Sequence, residues 1–225
     1  MFKKKILIIF SITLLYQSPL FSKSNSFNKL SSKNLSKYFS GIVAFENKNN
    51  SQALDFFRSS KILIDKHDPY LKRLVMSLIL EDKVAQAINI TKNNIKKNNT
   101  DFFEAYILLA LDEIKKKNFD MALEILSNVP EFLKEDRFNY IFLNTLKQYI
   151  YVFNYKKLQK NNQKFGNISL ISETFQRCYL NDVNTSSFFS NLINNNQADY
   201  SRYIYFYLSH LIEKNQIEEA KKITD

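Results

Sequence analysis

Asn50-Ser-Gln-Ala53-Leu-Asp-Phe-Phe57 is one of four related segments in this 225-residue chain. The others are Val84-Ala-Gln-Ala87-Ile, Phe119-Asp-Met-Ala122-Leu and Ile217-Glu-Glu-Ala220, and each sets an alanine just after a short polar turn, at the opening of a helical pattern. Ala53 and Ala87 stand 34 residues apart, and Ala87 and Ala122 stand 35 apart. A period of that length marks an array of small supersecondary units, none of which can bury its apolar face alone.

Working outward from these alanines, the apolar spacing is helical. Leu71, Leu74, Val75 and Leu78 fall on one stripe, and Phe103, Tyr106, Ile107, Ala110 and Ile114 fall on another. Between them Val84, Ala87, Ile88, Thr91 and Ile95 form the expected buried face of a further helix. Two glycines and three prolines are too few for the turns of a many-stranded sandwich or barrel, so the expected class is all-α.

The unit resembles the tetratricopeptide repeat, a 34-residue helix-turn-helix whose second helix carries A-x3-F. Ala53 and Phe57 match that element. The small residue twelve places before the alanine is Gly41 in the first unit and Ala110 in the third, while Val75 and Leu208 depart from it. Three places before the alanine stand Val84, Phe119 and Ile217, with Asn50 departing; sixteen places before it stand Leu71, Tyr106 and Ile204, with Lys37 departing. Small residues let two helix backbones approach, and bulky ones a turn away fill the space toward the next unit.

The resemblance implies an α-solenoid of tetratricopeptide-like repeats: three over residues 32–130, drifted helical pairs over 131–198, and the start of another over 199–225. Within the drifted part, Tyr140 to Phe153 reads as a long apolar helix, followed by a basic helix to about Lys164 and a break at Phe165-Gly-Asn167. Shorter helices are expected near Ile168 to Tyr179 and Ser186 to Asn194. A solenoid end needs a polar cap, and the last helix stops short at Asp225, so further chain is expected beyond it.

The first residues read as an address. Lys3-Lys4-Lys5 is followed by an apolar run from Ile6 to Tyr16 and a polar stretch from Gln17, the three-part construction of a secretory signal peptide. A run of that length covers about half of a bilayer core, which needs roughly 20 apolar residues. Pro19 and the small residues beyond it suit cleavage near Ser22 or Ser24, giving a signal over residues 1–22. No cysteine follows the run to receive a lipid. The expected destination is a bacterial periplasm.

Composition bounds the chemistry. The net charge is +10, yet lysines are scattered, and only Lys156, Lys160 and Lys164 have the spacing of a basic helix stripe. That stripe reads as a solvated face, with contact to acidic lipid as the alternative. A single cysteine, Cys178, forbids an intramolecular disulfide and reads as a small buried side chain with no histidine nearby in sequence. Of two histidines, His67 falls in the turn before Pro69 and His210 on a helix, packed or half-exposed. No phosphate loop, nucleophile elbow or metal-ligand spacing occurs, so no catalysis, cofactor or metal is expected. Nucleic acid is disfavoured by the export signal and by the lack of a concentrated basic and aromatic surface.

A binding role follows from the resemblance, which implies a concave face lined by the first helix of each pair. The candidate partner-binding residues are Tyr38, Ile42 and Phe45 in the first unit, Lys72, Met76 and Ile79 in the second, and Ile107, Leu111 and Ile114 in the third. These side chains either line the groove or pack on neighbouring helices. The lining is largely apolar, with Ile42, Met76 and Leu111 where a carboxylate clamp needs Asn and Lys, so the expected partner is an apolar peptide segment or a protein surface. The alternative is a membrane-associated factor held by an uncleaved N-terminal helix and the basic stripe.

Overall fold

The computed structural model describes residues 31–95, 101–160, 163–195 and 199–224, and among them every regular element is helical. The expected signal segment lies outside the described residues. The chain divides between Glu81 and Asp82 into two compact units.

The first unit contains α1 (Ser32–Glu46), α2 (Asn50–Ser59), a 3-10 turn (Lys61–Leu63) and α3 (Asp68–Leu80). Polar side chains start the first two helices: Ser31 accepts the Asn34 N–H, and Asn49 accepts the Gln52 N–H. Pro69 occupies the first turn of α3, where its missing N–H has no helical partner to lose. Phe57 is fully buried, and its ring lies directly on Gly41. Tyr70 donates its hydroxyl hydrogen to the Phe57 carbonyl, which ties α3 to α2.

The second unit contains α4 (Val84–Asn94), α5 (Phe103–Lys115), α6 (Phe119–Ser127), α7 (Glu131–Lys134) and α8 (Arg137–Tyr155). It continues with α9 (Asn167–Tyr179), α10 (Thr185–Ile193), a 3-10 turn (Ser201–Tyr203), α11 (Ile204–Glu213) and α12 (Ile217–Thr224). Helices adjacent in sequence pack on one another except α6 and α7, and α8 packs across α6. Two apolar clusters result: one holds Tyr106, Ala110, Ala122, Leu126 and Ile150, the other Phe189, Tyr207, Leu211 and Ala220.

The turns repeat as faithfully as the alanines. Lys48, Lys117 and Asn215 have φ of 60°, 64° and 57°, each five residues before Ala53, Ala122 and Ala220. The next N–H reaches back five residues in every case, from Asn49 to the Ala44 carbonyl, Asn118 to Glu113 and Gln216 to Leu211, all at 2.9 Å. This is a Schellman closure with a left-handed residue just past the helix end. Asp82, with φ 57°, stands at the same offset before Ala87, and Asn181 repeats the turn between α9 and α10. Ala53, Ala87 and Ala122 are fully buried.

Two expectations are corrected. Lys156, Lys160 and Lys164 do not share a helix face, because α8 ends at Tyr155 and Lys156 turns left-handed with φ 52°. Its ammonium lies 4.6 Å from the Tyr179 ring centroid. The sequence beyond has little apolar surface to hold a helix against the unit, and its residues from Gln163 lie beside the start of α8. There Gln163 accepts the Tyr140 hydroxyl at 2.9 Å, and Phe165 meets the Tyr140 ring edge-on. The second correction is Val84: it is 38% exposed, so the buried face of α4 rests on Ala87 and Thr91.

Candidate functional site

The expected concave residues separate into surface and core. In the first unit, Ile42, Phe45, Met76 and Ile79 are half-buried on α1 and α3, and Lys72 is exposed. The Arg73 guanidinium lies 5.3 Å from the Phe45 ring centroid and pairs with Glu46 at 3.0 Å, so it fixes one end of this face. Tyr38 does not belong to that face. It is 3% exposed and packs among the rings of Phe57, Tyr70 and His67, because the helix turn carrying it points at α2 and α3. In the second unit Leu111 is 48% exposed, whereas Ile107 and Ile114 pack against the cluster around Tyr106 and Leu126. These two are core-facing residues of α5, one turn to either side of its buried Ala110.

A surface that the sequence reading passed over lies at the start of α8. Phe138, Ile141, Phe142 and Thr145, with Ile168 from α9, enclose a pocket of about 100 Å³. Phe138 is 68% exposed and Phe142 40% exposed. Their rings stack at 6.0 Å, and Phe142 in turn meets Phe103 edge-on. Thr145 is the one lining side chain with a polar group. The signal was present in the spacing, since 138, 141, 142 and 145 are i, i+3, i+4 and i+7. The buried stripe of α8, through Leu143 and Ile150, masks it: a helix apolar on two faces reads as simply buried.

The remaining candidate chemistry is structural. Cys178 has a histidine neighbour after all, with its Sγ 3.9 Å from His210 Nδ1. Burial pushes the thiol up and the imidazole down, so both are neutral at physiological pH and the thiol is not activated. Asp112 and Glu113 on α5 are met by Lys116 at 2.6 and 2.9 Å and by Lys92 of α4 at 3.1 and 3.5 Å. The hydrogen bond from Lys116 holds the Asp112 carboxyl low. The one from Asn118 does most to lower Glu113, whose carboxylate therefore fastens the α5–α6 turn. Among the described residues no cluster of three metal-ligating side chains occurs, and no helix is long and apolar enough to cross a membrane. Comparison with known proteins returns no match to a family, to a curated protein or to a solved structure.

Proposed function

We propose that this chain is a non-catalytic protein-interaction scaffold of the bacterial envelope, exported by its N-terminal segment and built as a tetratricopeptide-like array. Its partner is a peptide or protein surface rich in apolar side chains. Ile42, Phe45, Lys72, Met76 and Ile79 serve as contact residues in the first unit, and Leu111, Phe138 and Phe142 in the second. The observation that carries this proposal is the apolar pocket on α8, with two stacked and exposed phenylalanines around it. An exposed aromatic cluster of this kind costs solubility, and soluble chains keep such patches where something docks. Export is supported by the basic, apolar and polar order of residues 1–22.

The test is site-specific photocrosslinking in the intact envelope, with the reactive group placed at Met76, Leu111 or Phe138 and, as a control, at the exposed Glu124. One partner band shared by the first three sites and missing from the control is expected. Met76→Asp with Leu111→Asp should abolish its capture while far-UV circular dichroism is unchanged. Capture undiminished by those substitutions would remove both residues from the proposed contacts.

A further inference from the structure

The segment after α8 carries two lysines that the broken basic stripe leaves without a helix, and both come to the same place. Lys160 and Lys164 line a pocket of about 510 Å³ between that segment and the sides of α8 and α9. Its volume falls in the range of small-ligand sites. Gln176 of α9 lines it too; this side chain is only 2% exposed, with its Nε2 held on Ser172 Oγ at 2.9 Å.

The lining is rich in donors. Lys160 and Lys164 are exposed and make no ion pair among the described residues. Gln163 uses its Oε1 to accept the Tyr140 hydroxyl, which leaves its NH2 group to donate. Ser169 accepts the Phe165 N–H at 2.6 Å, so its own O–H remains available as a donor. The one carboxylate in the lining, Glu173, is engaged by the Arg177 Nη2 at 2.6 Å and Nε at 3.0 Å. Arg177 is held in turn by Asp182 and stacked on Phe188, so it is a fixed wall and not a free cation. A pocket with two uncommitted ammonium groups, a free carboxamide NH2 and a free hydroxyl is complementary to an acceptor-rich anion.

We infer that the pocket lined by α8, α9 and residues Leu158, Gln159, Lys160, Gln163 and Lys164 binds a phosphate-bearing polar group, with Lys160 and Lys164 neutralising it and Gln163 and Ser169 orienting it. The phosphate belongs either to a small soluble ester or to the head group of an anionic lipid.

Two probes distinguish the sources: glycerol 3-phosphate followed by titration calorimetry, and cosedimentation with phosphatidylcholine vesicles with or without phosphatidylglycerol. Both use the full chain at low salt. Lys160→Gln with Lys164→Gln should weaken binding of the responsive probe by about tenfold or more. Lys61→Gln with Lys66→Gln, which removes the same charge from an exposed stretch of the first unit, should change it by less than about twofold. Response to the ester alone assigns a soluble ligand, and response that needs phosphatidylglycerol assigns the lipid. Binding of neither probe, or equal weakening by the two lysine pairs, would overturn the inference, since the latter is the signature of overall charge. All four lysines are exposed, and an unchanged thermal midpoint verifies that each variant is folded.

Discussion

At Gly41 two effects of known size oppose each other. Alanine is the better helix former by about 1 kcal/mol, so Gly41→Ala in an open helix would stabilise. Here the added Cβ would stand 2.8 and 2.9 Å from two carbons of the Phe57 ring, which is fully buried and ringed by Tyr38 and Tyr70. Overpacking of that kind costs roughly 1–3 kcal/mol. Gly41→Ala is therefore expected to lower the urea midpoint despite its better propensity, and a midpoint at or above that of the parent would show that the ring can shift. The small residue at this position was legible from its offset to Ala53, and so was the reason for it. His210 was half legible. It lies 32 residues after Cys178, close to one period, which puts the two on neighbouring first helices. Burial among Cys178 and Phe189 lowers its pKa, with the Lys214 charge adding to this and Glu213 opposing. A folded-state pKa below the unfolded value of about 6.5 means that the unfolded chain takes the proton more readily. The associated stability is fully present above about pH 6.5 and is lost as pH falls through the folded pKa. The drop in thermal midpoint on acidification from neutral pH should be smaller in His210→Leu than in the parent chain. An equal drop would place the acid sensitivity elsewhere.

At the scale of elements, the positions of α3, α5 and α6 follow from stripe and alanine spacing, α9 and α10 match the short helices expected near Ile168 to Tyr179 and Ser186 to Asn194, and α8 needs only a few residues added at each end. The same period appears in side-chain bonds between successive segments, as in Asn154 to Asp120 at a separation of 34 and Lys214 to Asn181, in the turns after α11 and α9, at 33. What failed was the basic helix after Tyr155. Lysines at i, i+4 and i+8 describe a face only if a helix exists, and a helix here would need an apolar stripe to hold it, which this stretch lacks. The turns were illegible for another reason: with two glycines in the chain, the left-handed positions are filled by Lys48, Asp82, Lys117, Asn181 and Asn215. A non-glycine residue there carries a cost of about 1–2 kcal/mol that glycine avoids, partly offset by the greater freedom of glycine in the unfolded chain. Lys48→Gly and Lys117→Gly should each raise stability by about 1 kcal/mol in chemical denaturation. Lys115→Gly, two residues earlier and still within α5, should lower it by a similar amount, about 1 kcal/mol. Loss of stability in all three would mean that lysine makes contacts at the turns that outweigh the backbone term.

For the molecule as a whole, the architecture and the address were read from different physical signals, and they can be tested apart. The helical class rests on periodicity, which survives substitution because only size and apolarity must be kept. The address rests on residues 1–22, where the apolar run from Ile6 to Tyr16 is a little over half the length a spanning helix requires, about 20 residues. If the proposed leader engages the export machinery, an apolar run of that length would anchor poorly, so processing is expected, after Ser22 or after Ser24. The mature chain would begin at Lys23, having lost Lys3, Lys4 and Lys5 and with them three of its ten net positive charges, or at Asn25, having lost Lys23 as a fourth. Intact-mass measurement on protein released from the envelope should show one of those two N-termini. The full mass, recovered with the membrane pellet, would mean that the segment is retained. The apolar run would then act as an interfacial anchor, and the two lysines at the α8–α9 pocket would meet lipid head groups at the membrane surface instead of a soluble ester.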